Sequence, residues 1–155
     1  MSSSDSGGRR ALRALYRLLA YLWPAPYSAL GLLLAAIVVA VGGSLRRGDG
    51  TLECSGGLLG RCAARLPLQR QFVALTLGHV IVGVDPASLD ALRAHEHVHV
   101  RQYERWGLLF VPAYLGSSLL QWLRGRDPYW GNRFEREARR LARAAVEPTE
   151  ATRHG

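Results

Sequence analysis

The residues predict an α+β fold, mostly helical, with a small sheet of about three strands packed against one long helix and an N-terminal helical segment associated with a membrane. Three observations carry this. Residues 86–106 hold a helical apolar stripe between a start signal, Asp85-Pro86, and a stop, Gly107. Two short β-branched runs, 72–77 and 80–82, precede it and are separated by Gly78-His79. The first third of the chain has an uncharged stretch, 18–45, behind a cluster of arginines.

With 155 residues the chain suffices for one domain with a core, but not for two of ordinary size once a membrane segment is subtracted. All 20 basic residues are Arg, against 12 acidic ones, giving a net charge of +8. That balance suits anionic headgroups or nucleic acid. No nucleic-acid module is recognisable, and the aromatic residues sit inside apolar runs. The expected partner is therefore membrane lipid and no nucleic acid, with oligomeric state left open.

In chain order, residues 1–8 are Ser/Gly-rich and read as a disordered tail. Over 9–23, Arg9, Arg10, Arg13 and Arg17 share one side of a helix while Leu12, Leu15, Leu18, Leu19 and Leu22 cover the other, as in a basic helix lying in a membrane surface. Pro24-Ala25-Pro26 ends it. Residues 27–43 carry no charge and are the expected transmembrane or membrane-embedded segment. A cleaved signal ending at Ala40-Val41-Gly42 is disfavoured by the long stretch ahead of the apolar run. Residues 48–146 form the remaining domain and 147–155 a tail.

Arg46 and Arg47 flank the far end of the apolar segment, Arg46-Arg47-Gly48-Asp49-Gly50 reads as a turn-rich break, 51–54 as a short strand and Ser55-Gly56-Gly57 as a turn. Cys54 and Cys62 form no C-x-x-C pair, so they make neither a zinc knuckle nor a redox site. A single disulfide or two idle thiols are both compatible with their spacing. Residues 72–77 and 80–82 read as a strand pair, or one strand bent at Gly78. Asp85 then caps a helix with Pro86 at its first position.

On that helix Leu89, Leu92, His95, His99, Gln102 and Trp106 follow at three- and four-residue spacing. His95 and His99 with Glu96 form H-E-x-x-H. Side chains four apart on a helix are neighbours, so two imidazoles can hold one Zn²⁺ while the adjacent carboxylate of Glu96 handles a water proton. The alternation His95, His97, His99 also suits a strand of a cupin-like barrel. The Asp85-Pro86 cap and the lack of further short strands argue against it. His97 points away from the metal face and reads as an ordinary histidine.

Two segments, Ala74-Leu75-Thr76-Leu77-Gly78-His79-Val80-Ile81 and Leu92-Arg93-Ala94-His95-Glu96-His97-Val98-His99-Val100-Arg101-Gln102, resemble a bacterial metallopeptidase-type domain. Its pattern runs A-F-T-x-G-x-x-I, then L-A-H-E-L-T-H-V-x-Q-Q. The likeness covers about the middle third of the chain and departs from the pattern at Glu104-Arg105-Trp106. By resemblance the wider class is the gluzincin peptidases, which implies a minimal gluzincin-like fold and a third zinc ligand from a Glu on a later helix in an E-x-x-A/S pattern. Glu135-x-x-Ala138 fits it. Glu137 is the alternative ligand, since both glutamates flank the same helical face, and Arg133 and Arg140 offer Glu137 an ion-pair role. Asn132-x-x-Glu135 also resembles a capping box.

Between these sites, 107–123 is uncharged. A membrane span there would separate Glu135 from the histidines by a layer of about 30 Å. Pro112, Gly116, Ser117, Ser118 and Gln121 therefore predict a core or interfacial helix that returns the chain toward the motif. The expected function is a membrane-associated, zinc-dependent metallopeptidase that cuts a peptide or protein substrate. His95, His99 and Glu135 are its metal ligands and Glu96 its general base; Gln102, Tyr103 and Asn132 stand nearby as supporting or substrate-facing residues. The alternative is a non-catalytic, membrane-anchored protein whose motif helix is structural or only binds metal.

Overall fold

A computed structural model describes residues 18, 20–63, 65 and 73–151, with the side chains of Leu59 and of 146–151 left aside. The expected tail at 1–8 and most of the basic helix at 9–23 lie outside the described residues, as do 152–155. Five helices and a four-stranded mixed sheet are described. Helix α1 is Ala25–Ala40, strand β1 Gly43–Gly48, β2 Thr51–Gly56, helix α2 Gly57–Ala63, β3 Ala74–Leu77 and β4 Val80–Gly83. Helix α3, Pro86–Trp106, carries the motif; a 3₁₀ turn, Gly107–Leu109, leads into α4, Phe110–Leu123, and α5 is Arg133–Ala151. The last helix thus continues through the stretch from 147 onward.

The strand order is β1-β2-β4-β3, with β2 and β4 parallel and both outer pairs antiparallel. The sheet has one strand more than the three expected. The missed strand is β1, whose arginines read from sequence as flanks of a membrane segment. It is joined to β2 by Asp49 and Gly50, both at positive φ (50° and 77°), the backbone of a tight primed hairpin turn. Ser55 and Gly56, expected in a turn, instead extend β2. They do so because Ser55 pairs with Ser44 on one side and Gly83 on the other.

Alternation along the strands assigns the two faces of the sheet. Val80 packs with Ala35, Val38 and Cys54 on the α1 side. Ile81 packs with Leu89 and Val100 on the α3 side. A third cluster, Tyr103, Phe110 and Phe134, joins α3, α4 and α5. The transmembrane expectation for 27–43 is corrected. Helix α1 has only 16 residues, shorter than the roughly 20 a hydrocarbon core needs, because the chain breaks at Val41-Gly42 and enters β1. Among the described residues no helix is long and apolar enough to cross a membrane.

Helix α3 begins and ends where its residues demand. Asp85 Oδ1 accepts from the Ser88 amide at 2.8 Å and Oδ2 from the Ser88 hydroxyl at 2.6 Å. Those bonds lower the Asp85 pKa. Gly107 closes the helix at φ 53°, and a Cβ there would overlap the Trp23 indole, so no other residue fits.

Candidate metal centre

One turn of α3 and the first turn of α5 meet over the pocket. His95 and His99 stand four residues apart with their Nε2 atoms 3.1 Å from each other. The Glu135 carboxylate straddles them, Oε2 at 3.2 Å from His95 Nε2 and Oε1 at 3.2 Å from His99 Nε2. One ligand atom from each lies within 4.8 Å of the others, so the three form a group able to hold a metal ion. Bonds of about 2.0–2.1 Å in a tetrahedron put ligand atoms about 3.3 Å apart, close to the spacings seen here.

Two further observations fit a cation. Two imidazole Nε2 atoms facing at 3.1 Å oppose their lone pairs unless a proton or a metal lies between them. Glu135 is buried, and its positive neighbours are the two imidazoles and Arg139, whose Nη1 stands 3.7 Å from Oε2, beyond hydrogen-bond reach. A carboxylate so placed is costly unless something positive shares it.

The electrostatics show the same pull. Burial works to raise the Glu135 pKa, but its contacts with His95 and His99 and the Tyr114 hydroxyl outweigh it and hold the carboxyl well below the usual range. Burial likewise works to lower the His99 pKa. The Glu135 bond and the charges of Glu96 and Glu135 overcome this, so the net shift is upward.

The neighbouring residues fix these groups. His99 Nδ1 donates to Gln102 Oε1 at 2.8 Å, which leaves Nε2 with its lone pair toward the centre. The Gln102 amide in turn donates to the Phe134 carbonyl at 3.1 Å and to Glu137 Oε2 at 2.9 Å. Glu137, the alternative ligand, is thereby turned to Gln102, and it is Glu135 that meets the histidines. Glu96 is buried and accepts from the Thr76 hydroxyl of β3 at 2.6 Å. Asn132 caps α5, its Oδ1 accepting from the Phe134 amide at 2.9 Å and its Nδ2 donating to the Tyr114 carbonyl at 3.0 Å and the Ser118 hydroxyl at 2.7 Å. So Asn132 ties α5 to α4 rather than reaching the centre. Tyr103 is buried among Phe110 and Tyr27, with one side on the pocket.

A cavity of about 230 Å³ opens over the group, lined by β3, His95, Glu96, His99, Tyr114, Tyr129 and Glu135 among others. Three contributors escaped the sequence reading. The Tyr114 hydroxyl donates to Glu135 Oε1 at 2.8 Å, Thr76 holds Glu96, and Tyr129 lines the cavity. Burial first, then the nearby Glu135 charge, pushes both phenol pKa values far up, so these hydroxyls keep their protons. A signal for Tyr114 was present: Phe110, Tyr114, Ser117, Ser118 and Gln121 recur at helical spacing and mark the inward side of α4. His97 faces the other way, 3.7 Å from Glu53.

No family model, no curated protein and no solved structure matches the chain. The centre stands on its geometry, a His95, His99 and Glu135 group suited to a metal ion.

Proposed function

We propose that the protein is a zinc-dependent peptidase of the gluzincin type, with His95, His99 and Glu135 as ligands and Glu96 as general base. The observation that carries this is the convergence of two imidazole nitrogens and one buried carboxylate at near-tetrahedral spacing, with a second carboxylate, Glu96, in the same cavity. Two nitrogens and one carboxylate match a catalytic zinc site, which keeps one position open. Zinc, when bound, supplies a Lewis acid for the peptide carbonyl and makes a water easier to deprotonate.

The chain's own residues do the rest. Glu96 takes the proton of the attacking water and passes it to the leaving amine. Thr76 fixes Oε2 of that carboxylate, which leaves Oε1 for the water. Among the described residues strand β3 is an edge strand, and it lines the cavity, so an extended peptide can add to it by backbone hydrogen bonds. Tyr129, kept protonated beside the Glu135 carboxylate, closes another side of the same cavity.

Metal analysis and a peptide-library assay test this together. One zinc per chain is expected in the wild type, lost in His99→Ala, and kept in Glu96→Gln with hydrolysis abolished. A wild-type chain that binds no metal would sink the reading. Zinc bound tightly with no cleavage of any peptide would instead favour a non-catalytic metal-binding protein.

A further inference from the structure

Helix α4 is built inside out. In water an amphipathic helix turns its apolar side inward and its polar side to solvent. Here the polar residues face the protein: Tyr114 bonds Glu135, Ser118 accepts from Asn132, and Ser117 accepts from the Arg133 amide at 3.1 Å. The outward side carries Leu115, Leu119, Trp122 and Leu123, which are 59%, 54%, 64% and 68% exposed. Hydrophobic residues scattered singly over a surface need no explanation, but a whole apolar helix side does.

Helix α1 starts beside this surface. The Tyr27 hydroxyl donates to the Leu108 carbonyl at 3.2 Å, and the Trp23 indole lies against Gly107, so the start of α1 abuts the turn that leads into α4. Leu109 on that turn and Leu30, Leu33 and Ile37 on α1 are exposed as well.

Charge decides what covers this surface. Residues 106–126 contain no acidic side chain, and at the two ends of the stretch the exposed Arg105, Arg124 and Arg126 outnumber the adjoining Glu104 and Asp127, so the rim is net basic. Trp23, Trp122 and Trp130 are exposed, the residue type that settles at headgroup level. A second copy would bring the same basic rim against itself, a repulsive arrangement. Anionic headgroups meet it favourably. We infer that the outer face of α4, with the adjoining side of α1, docks monotopically into an anionic bilayer, so that the metal centre works at the membrane surface. If the proposed peptidase activity holds, its substrates are peptides lying in or emerging from that surface.

Flotation of the full chain with phosphatidylcholine vesicles, with and without phosphatidylglycerol, tests the docking. The assay reads binding without catalysis, so its failure is separable from a failure of the peptidase reading. Binding is expected to need phosphatidylglycerol. The double variant Leu115→Gln, Leu119→Gln should partition at least about tenfold more weakly for each leucine lost. Its far-UV circular dichroism and zinc content should be unchanged, because both side chains are exposed. Leu141→Gln on α5 is the control expected to bind as the wild type does. Vesicle binding that the double variant leaves intact would overturn the inference. So would a wild-type dimer that this variant alone dissociates.

Discussion

Glu135 bonds both His95 and His99, His99 leans chiefly on Glu135, and the signs of the Glu135 and His99 shifts define a pH window for the metal-free protein. A lowered carboxylate pKa contributes stability that is complete above its unfolded value of about 4.3 and lost as pH falls toward the folded one. A raised imidazole pKa contributes stability that is complete below its unfolded value of about 6.5 and lost as pH rises through the folded one. The chelator-treated chain should therefore melt highest between about pH 4.3 and 6.5 as far as this pair is concerned, and Glu135→Gln should lose that contribution. Melting temperatures across a pH series check it. Gln102 acts one bond further out. Gln102→Ala frees the His99 ring, and zinc affinity should fall by about 10–100-fold in a competition titration. Glu137→Gln should change affinity far less than Glu135→Gln, which separates the two glutamates. Sequence could place His95, Glu96 and His99 because the spacing itself is the signal. It could favour Glu135 over Glu137 only through the E-x-x-A pattern and the ion pairs open to Glu137, because helical angle alone does not separate two glutamates that flank the Phe134 face on opposite sides. What decides is non-local: Gln102, on another helix, reaches Glu137 and leaves Glu135 to the histidines.

Helix α3 was legible because its start and stop are chemical. Asp85, Pro86 and Gly107 each do one thing that few residues do as well. Strand β1 was not legible, because its stability lies in partners far along the chain. Arg46 reaches Glu53 of β2 through Nε at 3.0 Å and Nη2 at 2.8 Å, and Glu53 is buried and also held by Arg93 of α3 at 3.0 Å. Read without those partners, Arg46 and Arg47 look like flanks of a membrane segment. The Asp49-Gly50 turn was the one local sign of a hairpin. The strand that β1 pairs with also separates the two cysteines. Cys54, on β2, is buried and its thiol is pushed up to about 11 by desolvation, whereas Cys62, on α2, is exposed. Both are free. Alkylation of the native protein at pH 8 should thus modify Cys62 alone, and Cys54 should react only after denaturant is added, with mass spectrometry of the labelled peptides as the readout.

The molecule is closed by a contact between parts that the chain itself keeps apart. His95 and His99 belong to α3, which packs on the sheet, whereas Glu135 belongs to α5, reached only after the whole of α4. Apolar packing of Phe110 and Phe134 brings α5 close, yet α5 also presents a row of arginines and only one fully buried aromatic. A cation at the centre would bond both helices at once, and a ligand that binds only the folded arrangement stabilises it by mass action, about 2.7 kcal/mol at a hundredfold excess over its dissociation constant. Zinc should accordingly raise the melting temperature in a concentration-dependent way and slow amide exchange in α5 as well as in α3. Glu135→Ala should abolish the protection of α5 while leaving the α3 amides largely as they were, because the sheet and the Asp85 cap hold α3 independently. Protection confined to α3 in the wild type would mean that the metal is held by the histidines without α5. The third ligand, and the peptidase reading built on it, would then be wrong.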